Sequence, residues 1–118
     1  MELPQRTRFD HVGVITDVAH ESEVWVEETM AWVTSPREHP ANVEWIRWHP
    51  ESPTRGPLRE ENHIAYRVDD VDKALEGHQV LVEPFALGGS FARIAFVRID
   101  GALVEFMQYA DPNEQGWF

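Results

Sequence analysis

The sequence predicts an α+β fold built from two βαβββ-type repeats, the first of them shortened. Three observations carry this. First, Val43-Glu44-Trp45-Ile46-Arg47-Trp48 matches Val104-Glu105-Phe106-Met107-Gln108-Tyr109 position by position, with Val and Glu identical and two aromatics on aromatics. Second, Asp10-His11-Val12-Gly13-Val14 parallels Asn62-His63-Ile64-Ala65-Tyr66. Each repeat therefore opens with a strand containing His and closes with a strand containing Glu, and such a repeat fixes the architecture. Third, His11 to Glu44 spans 33 positions while His63 to Glu105 spans 42, nine more. The deficit falls on the first helix and its flanking loop, because the end strands align without gaps. A mixed sheet with helices on one face belongs to the α+β class.

The elements follow in order. Residues 1–7 form a tail. Residues 8–15 read as a strand with Phe9, His11, Gly13 and Ile15 on one face. Residues 16–23 are polar and hold at most a short helix. Residues 23–33 read as extended, since Val24, Val26, Met30 and Trp32 alternate and Val, Trp and Thr favour strand. Pro36 to Pro40 is a turn, and residues 43–49 a strand. The connector, residues 50–61, holds three prolines and Gly56 and reads as irregular. Residues 62–68 form the strand that opens the second repeat, with His63, Ala65 and Arg67 on one face and Ile64 and Tyr66 on the other. Asp69 or Asp70 caps a short helix that ends at Gly77. Residues 79–83 make a short strand and 84–90 a loop. Residues 91–99 and 102–109 form a hairpin across Asp100-Gly101. In its last strand Leu103, Glu105, Met107 and Tyr109 share one face, Ala102, Val104, Phe106 and Gln108 the other. The aromatic pair Trp117-Phe118 is expected to dock on a surface.

Composition sets further bounds. The 118 residues suit a single domain, 1–118, with repeat one at about 8–49, the connector at 50–61 and repeat two at about 62–109. With no cysteine there is no disulfide framework, no thiolate zinc site and no cysteine nucleophile. The polar start has no apolar stretch of a signal peptide, and no run approaches membrane-spanning length, so a cytoplasmic protein with no membrane partner is expected. A formal charge of −11 disfavours nucleic acid and suits a cation.

His11, Glu44, His63 and Glu105 hold equivalent places in the two repeats. A pseudo-two-fold axis would bring both pairs together. Two imidazoles and two carboxylates make a donor set for one divalent ion per site: Zn, Ni, Co, Mn or Fe(II). Each donor sits among apolar neighbours, where an unpartnered polar group is expensive. Either residue type alone is more often structural, a satisfied strand His or a solvent-facing Glu; the matched second pair favours the metal.

A His near the start of each βαβββ unit and a Glu in each last strand resemble the vicinal oxygen chelate superfamily, the glyoxalase, bleomycin-resistance and extradiol-dioxygenase group. The stretches FDHVGV, NHIAYRVDDVDKALEG and DGALVEFMQY carry the resemblance, which runs from about Phe9 to Tyr109. It implies a cupped, barrel-like sheet around one divalent metal, a small substrate chelating through adjacent oxygens, and commonly a homodimer. The short first unit departs from the pattern.

Within that group the donors suggest a metal-dependent isomerase, lyase or epimerase, with Glu105 or Glu44 as both ligand and base. A dioxygenase needs only two His and one carboxylate. A third reading is a binder of the bleomycin-resistance type, in which Trp25, Trp32, Trp45, Trp48 and Tyr66 receive a cationic guest; plain core packing is the favoured account of such aromatics. The expected substrate pocket includes Trp48, Tyr66, Arg67 and Met107. Arg67, on the face of its strand's His, is the better anion-binding candidate, and Arg47 the poorer. Open strand edges and apolar sheet surface predict a homodimer.

Overall fold

The computed structural model describes residues 7–113. The tail before residue 7 and the expected docking of Trp117-Phe118 lie outside the described residues. The strands are β1 (Arg8–Ile15), β2 (Val24–Val26), β3 (Ala31–Val33), β4 (Val43–Trp48), β5 (His63–Arg67), β6 (Gln79–Leu87), β7 (Ala92–Ile99) and β8 (Ala102–Tyr109). Two short helices, α1 (Pro57–Glu60) and α2 (Val71–Ala74), and a 3₁₀ turn at Pro36–Glu38 complete the described elements. The strands form one curled sheet in the order β2-β3-β4-β1-β5-β8-β7-β6.

The order displays the repeat. In each half the first strand lies parallel to the last, β1 to β4 and β5 to β8. The halves meet where β1 runs antiparallel to β5. The second half is β-α-β-β-β, as predicted. In the first half residues 24–33 are extended, as the two-strand hairpin β2–β3, and no helix intervenes between β1 and β2.

Local chemistry explains the elements. Asp100 and Gly101 have φ of 49° and 83°, the two positive values that a two-residue hairpin turn requires. Ile99 faces Ala102 across it. The Asp70 carboxylate caps α2 by accepting from Lys73 N at 3.2 Å. The Gln108 side chain accepts from Val71 N at 2.9 Å and so ties α2 to β8.

Three expectations need correction. The connector is not wholly irregular: Pro57, its φ preset, opens α1 after Gly56 at φ 75°. Residues 84–87 are not loop, since β6 runs to Leu87. Pro84 is tolerated because β6 is an edge strand with a register shift between Val82 and Phe85. On β1, Phe9 does not share the face of His11. Phe9 pairs with Tyr66 and His11 with Ala65, so Asp10 is the extra residue of a β-bulge.

Apolar residues cover both faces of the second half. On the convex face, Val71 and Ala74 of α2 belong to one cluster with Val97, Val104 and Phe106. Phe106 is fully buried there, a burial that stabilises by about 1.5–3 kcal/mol. On the concave face, Ile46, Ile94, Phe96, Leu103 and Met107 belong to a second buried cluster, beneath and around a cup.

Candidate metal centre

The four central strands, β4-β1-β5-β8, supply Glu44, His11, His63 and Glu105 in that spatial order. Register explains their convergence. Gly13 on β1 lies level with Glu44 on one side and His63 on the other. Ala65 on β5 lies level with His11 and with Glu105. Two small residues, equivalent in the repeat, thus form a floor between the four donors. A Cβ on Gly13 would collide with Cε1, Nε2 and Nδ1 of His63.

The four side chains face one point. His11 Nε2 lies 3.2 Å from Glu44 Oε1 and 3.3 Å from Glu105 Oε1. His63 Nε2 lies 3.1 Å from Glu105 Oε1 and 3.9 Å from Glu44 Oε1. Donors about 2.1 Å from a shared ion and about 90–110° apart would stand about 3.0–3.4 Å from each other. Three of the four separations fall in that band. The donor atoms of His11, Glu44 and His63 also lie within 4.8 Å of one another. All four residues are buried. Neither nitrogen of His63 has a partner in hydrogen-bond geometry, although Glu105 is so close. A buried nitrogen in that state is a feature that a central cation resolves. With both imidazoles in the neutral form that ligates a metal, the two carboxylates would present two negative charges for a divalent ion to balance.

Electrostatics are concentrated on one side. Asp10, carried inward by the bulge, places Oδ2 at 2.6 Å from His11 Nδ1. This contact fixes the ring and leaves Nε2 for the cluster, an outer-shell arrangement common to metal-bound histidines. Asp10 Oδ1 accepts from Tyr109 Oη at 2.9 Å, Arg37 Nη2 at 2.6 Å and Arg67 Nη2 at 3.2 Å. Burial alone would raise the Asp10 carboxyl, but His11, Arg37 and Tyr109 hold it well below the ordinary range. Burial would lower the His11 ring, but the Glu44 charge and contacts with Asp10, Glu105 and Glu44 raise it well above the usual value. Burial would raise Glu105, yet contacts with His11 and His63 hold it down at about 2. The second half lacks this support. Asn62, the counterpart of Asp10, instead accepts from Ile15 N at 2.9 Å.

Above the donors the cup opens as a narrow apolar cavity. Trp48 lines it, with Val33, Leu58, Leu87, Ile94 and Phe96. The other expected pocket residues lie elsewhere. Met107 is fully buried in the concave core and is not part of the lining. Tyr66 packs on the convex face, edge-to-face with Phe9 at 6.4 Å. Arg67 stacks over Tyr109 at 4.2 Å beside Asp10. Arg47 covers Trp32 at 3.9 Å and pairs with Glu23. Trp25 and Trp32 lie on that same outer face, 4.9 Å apart, and Trp45 stacks with His20. Of the five candidate aromatics, only Trp48 reaches the cavity. Sequence reasoning missed Asp10, whose one signal is an acidic residue next to a strand His. It also missed Arg37, which arrives from a distant turn.

No family model and no curated protein matches the chain. Solved structures do. A hypothetical protein from Bacillus halodurans C-125 is similar at a TM-score of 0.59 and 17% identity, over 94% of this chain and 100% of that one. Methylmalonyl-CoA epimerase from Mycobacterium tuberculosis is similar at a TM-score of 0.52 and 17% identity, over 88% of this chain and 89% of that one. At such identity the likeness is one of fold.

Proposed function

We propose that this chain is a divalent-metal-dependent enzyme that moves a proton on a small, oxygen-rich carbonyl or carboxylate substrate, as an isomerase, lyase or epimerase does. The observation that carries the reading is the convergence of four buried donors at the floor of an apolar cup. His11, Glu44, His63 and Glu105 are the proposed ligands. A bound divalent ion would supply Lewis acidity, polarising a substrate oxygen and acidifying the adjacent C–H. The chain's own part is to hold the substrate, exclude water and carry the proton. Phe96, Ile94 and Leu87 exclude water from the donors. The carboxylates divide the remaining work. Glu105 is close to both imidazoles and held at about 2, which suits a ligand more than a base. Glu44 is close to one imidazole and 3.9 Å from the other, so it is the freer carboxylate and the proposed proton carrier. The fold is shared with an epimerase, which agrees with this class of reaction.

Elemental analysis of protein purified without added metal or a histidine tag is expected to find about one divalent ion per chain. Glu105→Gln should lower metal affinity by about tenfold or more, whereas Glu44→Gln should lose turnover before it loses metal. Unchanged metal content in Glu105→Gln, or none in the parent protein after reconstitution, would contradict the proposal.

A homodimer is part of the same reading. Its support is the outer face of the first half, which α2 does not reach. Phe9 and Trp25 there, and Ile64 on the adjoining β5, are 52%, 36% and 37% exposed. A monomeric mass by light scattering at micromolar concentration would count against it.

A further inference from the structure

The cavity wall carries information about the ligand that the donors do not. We infer that the part of the ligand lying beyond its metal-binding oxygens is slim, apolar and uncharged, with one hydrogen-bond acceptor for the Trp48 indole. This rests on the reading of His11, Glu44, His63 and Glu105 as a metal centre.

Three observations support it. Among the described lining residues there is no Lys or Arg, and the acidic ones are the two donors Glu44 and Glu105. A ligand with a distant carboxylate or phosphate would therefore bury its charge against Ile94, Leu87 and Phe85 without a partner, which is costly. Four of the described arginines are engaged elsewhere: Arg37 and Arg67 with Asp10, Arg47 with Glu23, Arg98 with Glu61. Second, the walls are aliphatic and aromatic and stand close together, the lining expected for a hydrocarbon body. Third, Trp48 Nε1 is buried without a hydrogen-bond partner on a residue that lines this cavity. An indole N–H only donates, so the group that satisfies it is an acceptor. Apart from the donors, Thr29 is the other polar residue of the described wall. One end of the ligand is thus defined by oxygens at the floor, the other by a hydrocarbon with a single acceptor such as an ether or ketone.

Hydroxamates provide the test, because they chelate through two oxygens whatever the tail. Protein loaded with Co(II) is titrated with acetohydroxamate, benzohydroxamate and para-carboxybenzohydroxamate, read by the visible absorption of the cobalt. Benzohydroxamate should bind about tenfold or more tightly than acetohydroxamate. The carboxylate on the same ring should weaken binding by about a hundredfold. Among ortho, meta and para methoxy derivatives, the tightest should lose its advantage over benzohydroxamate in Trp48→Phe, with acetohydroxamate unaffected. Failure of every hydroxamate to perturb the cobalt spectrum would overturn the metal reading and this inference together. Equal affinities, or a preference for the carboxylate, would overturn this inference and leave the metal reading standing. The ligand series needs only the parent protein, so it decides the matter even if Trp48→Phe does not fold.

Discussion

At Gly13 a side chain would occupy the space that the His63 imidazole fills. The backbone there needs no glycine, so the requirement comes from the ring and from no turn. Gly13→Ala is therefore expected to swing His63 out of the cluster, with metal affinity falling by about tenfold or more while the sheet persists. Isothermal titration with Zn²⁺ and far-UV circular dichroism would check this; unchanged affinity would mean that the ring is not a ligand. At this scale the sequence was informative where the repeat spoke. His11, Glu44, His63 and Glu105 were marked by it, and the structure brings them together. The proposed wall was less legible. Tyr66 lies on the face opposite His63, as alternation had put it, so its place in the expected wall conflicted with its own strand pattern. Phe96 and Ile94 of the actual lining look like any other core residues in a strand.

Among the elements, β1 has the most consequential irregularity. Regular alternation would send Asp10 to the face opposite His11. The bulge turns both inward, so one strand delivers a ligand and the carboxylate that orients it. A bulge leaves little trace in a single sequence, which is why the Asp10 network was not foreseen. Asp10→Asn keeps the shape but removes the charge that His11 Nδ1, Arg37 and Arg67 share. It is expected to reduce metal affinity by about 10–100-fold. Asn62→Asp at the equivalent place should not raise affinity, because Asn62 is committed to Ile15 N. Titration of both variants with Zn²⁺ gives the comparison. The strand boundaries of β1, β4, β5 and β8 were legible from apolar runs and from the Asp-Gly turn. The extension of β6 past Pro84 was not, since proline argues against a strand unless its edge position is known.

For the whole molecule, metal and pH are linked. In the metal-free protein the raised His11 value means that its contribution to stability is fully present below its ordinary value of 6.5. That contribution is lost as pH rises through the folded value. Glu105 works the other way: its contribution is present above the ordinary 4.5 and lost as pH falls towards about 2. A divalent ion takes the place of the His11 proton. The stabilisation it gives should therefore grow as pH rises from about 6.5 towards the folded His11 value. Thermal melts across that range, with chelator and with Zn²⁺, would show the two curves diverging; parallel curves would refute the linkage. The two-half architecture was legible at this scale because matching phrases recur at matching ends. The hairpin that replaces the first helix was legible only as a deficit of length and an extended pattern.

The seam between β1 and β5 has a consequence for ancestry and assembly. Each half contributes one imidazole and one carboxylate, so neither half alone holds more than two donors. Two copies of one ancestral half, meeting edge to edge, would already have made the site. Joining such halves through residues 50–61 would turn an encounter between molecules into an encounter within one, and set the local concentration of one half around the other. That concentration falls only slowly as a connector grows. A longer connector would thus leave the site intact in dilute solution, and at high concentration would let two chains trade halves and build the same four-donor centre across the exchange.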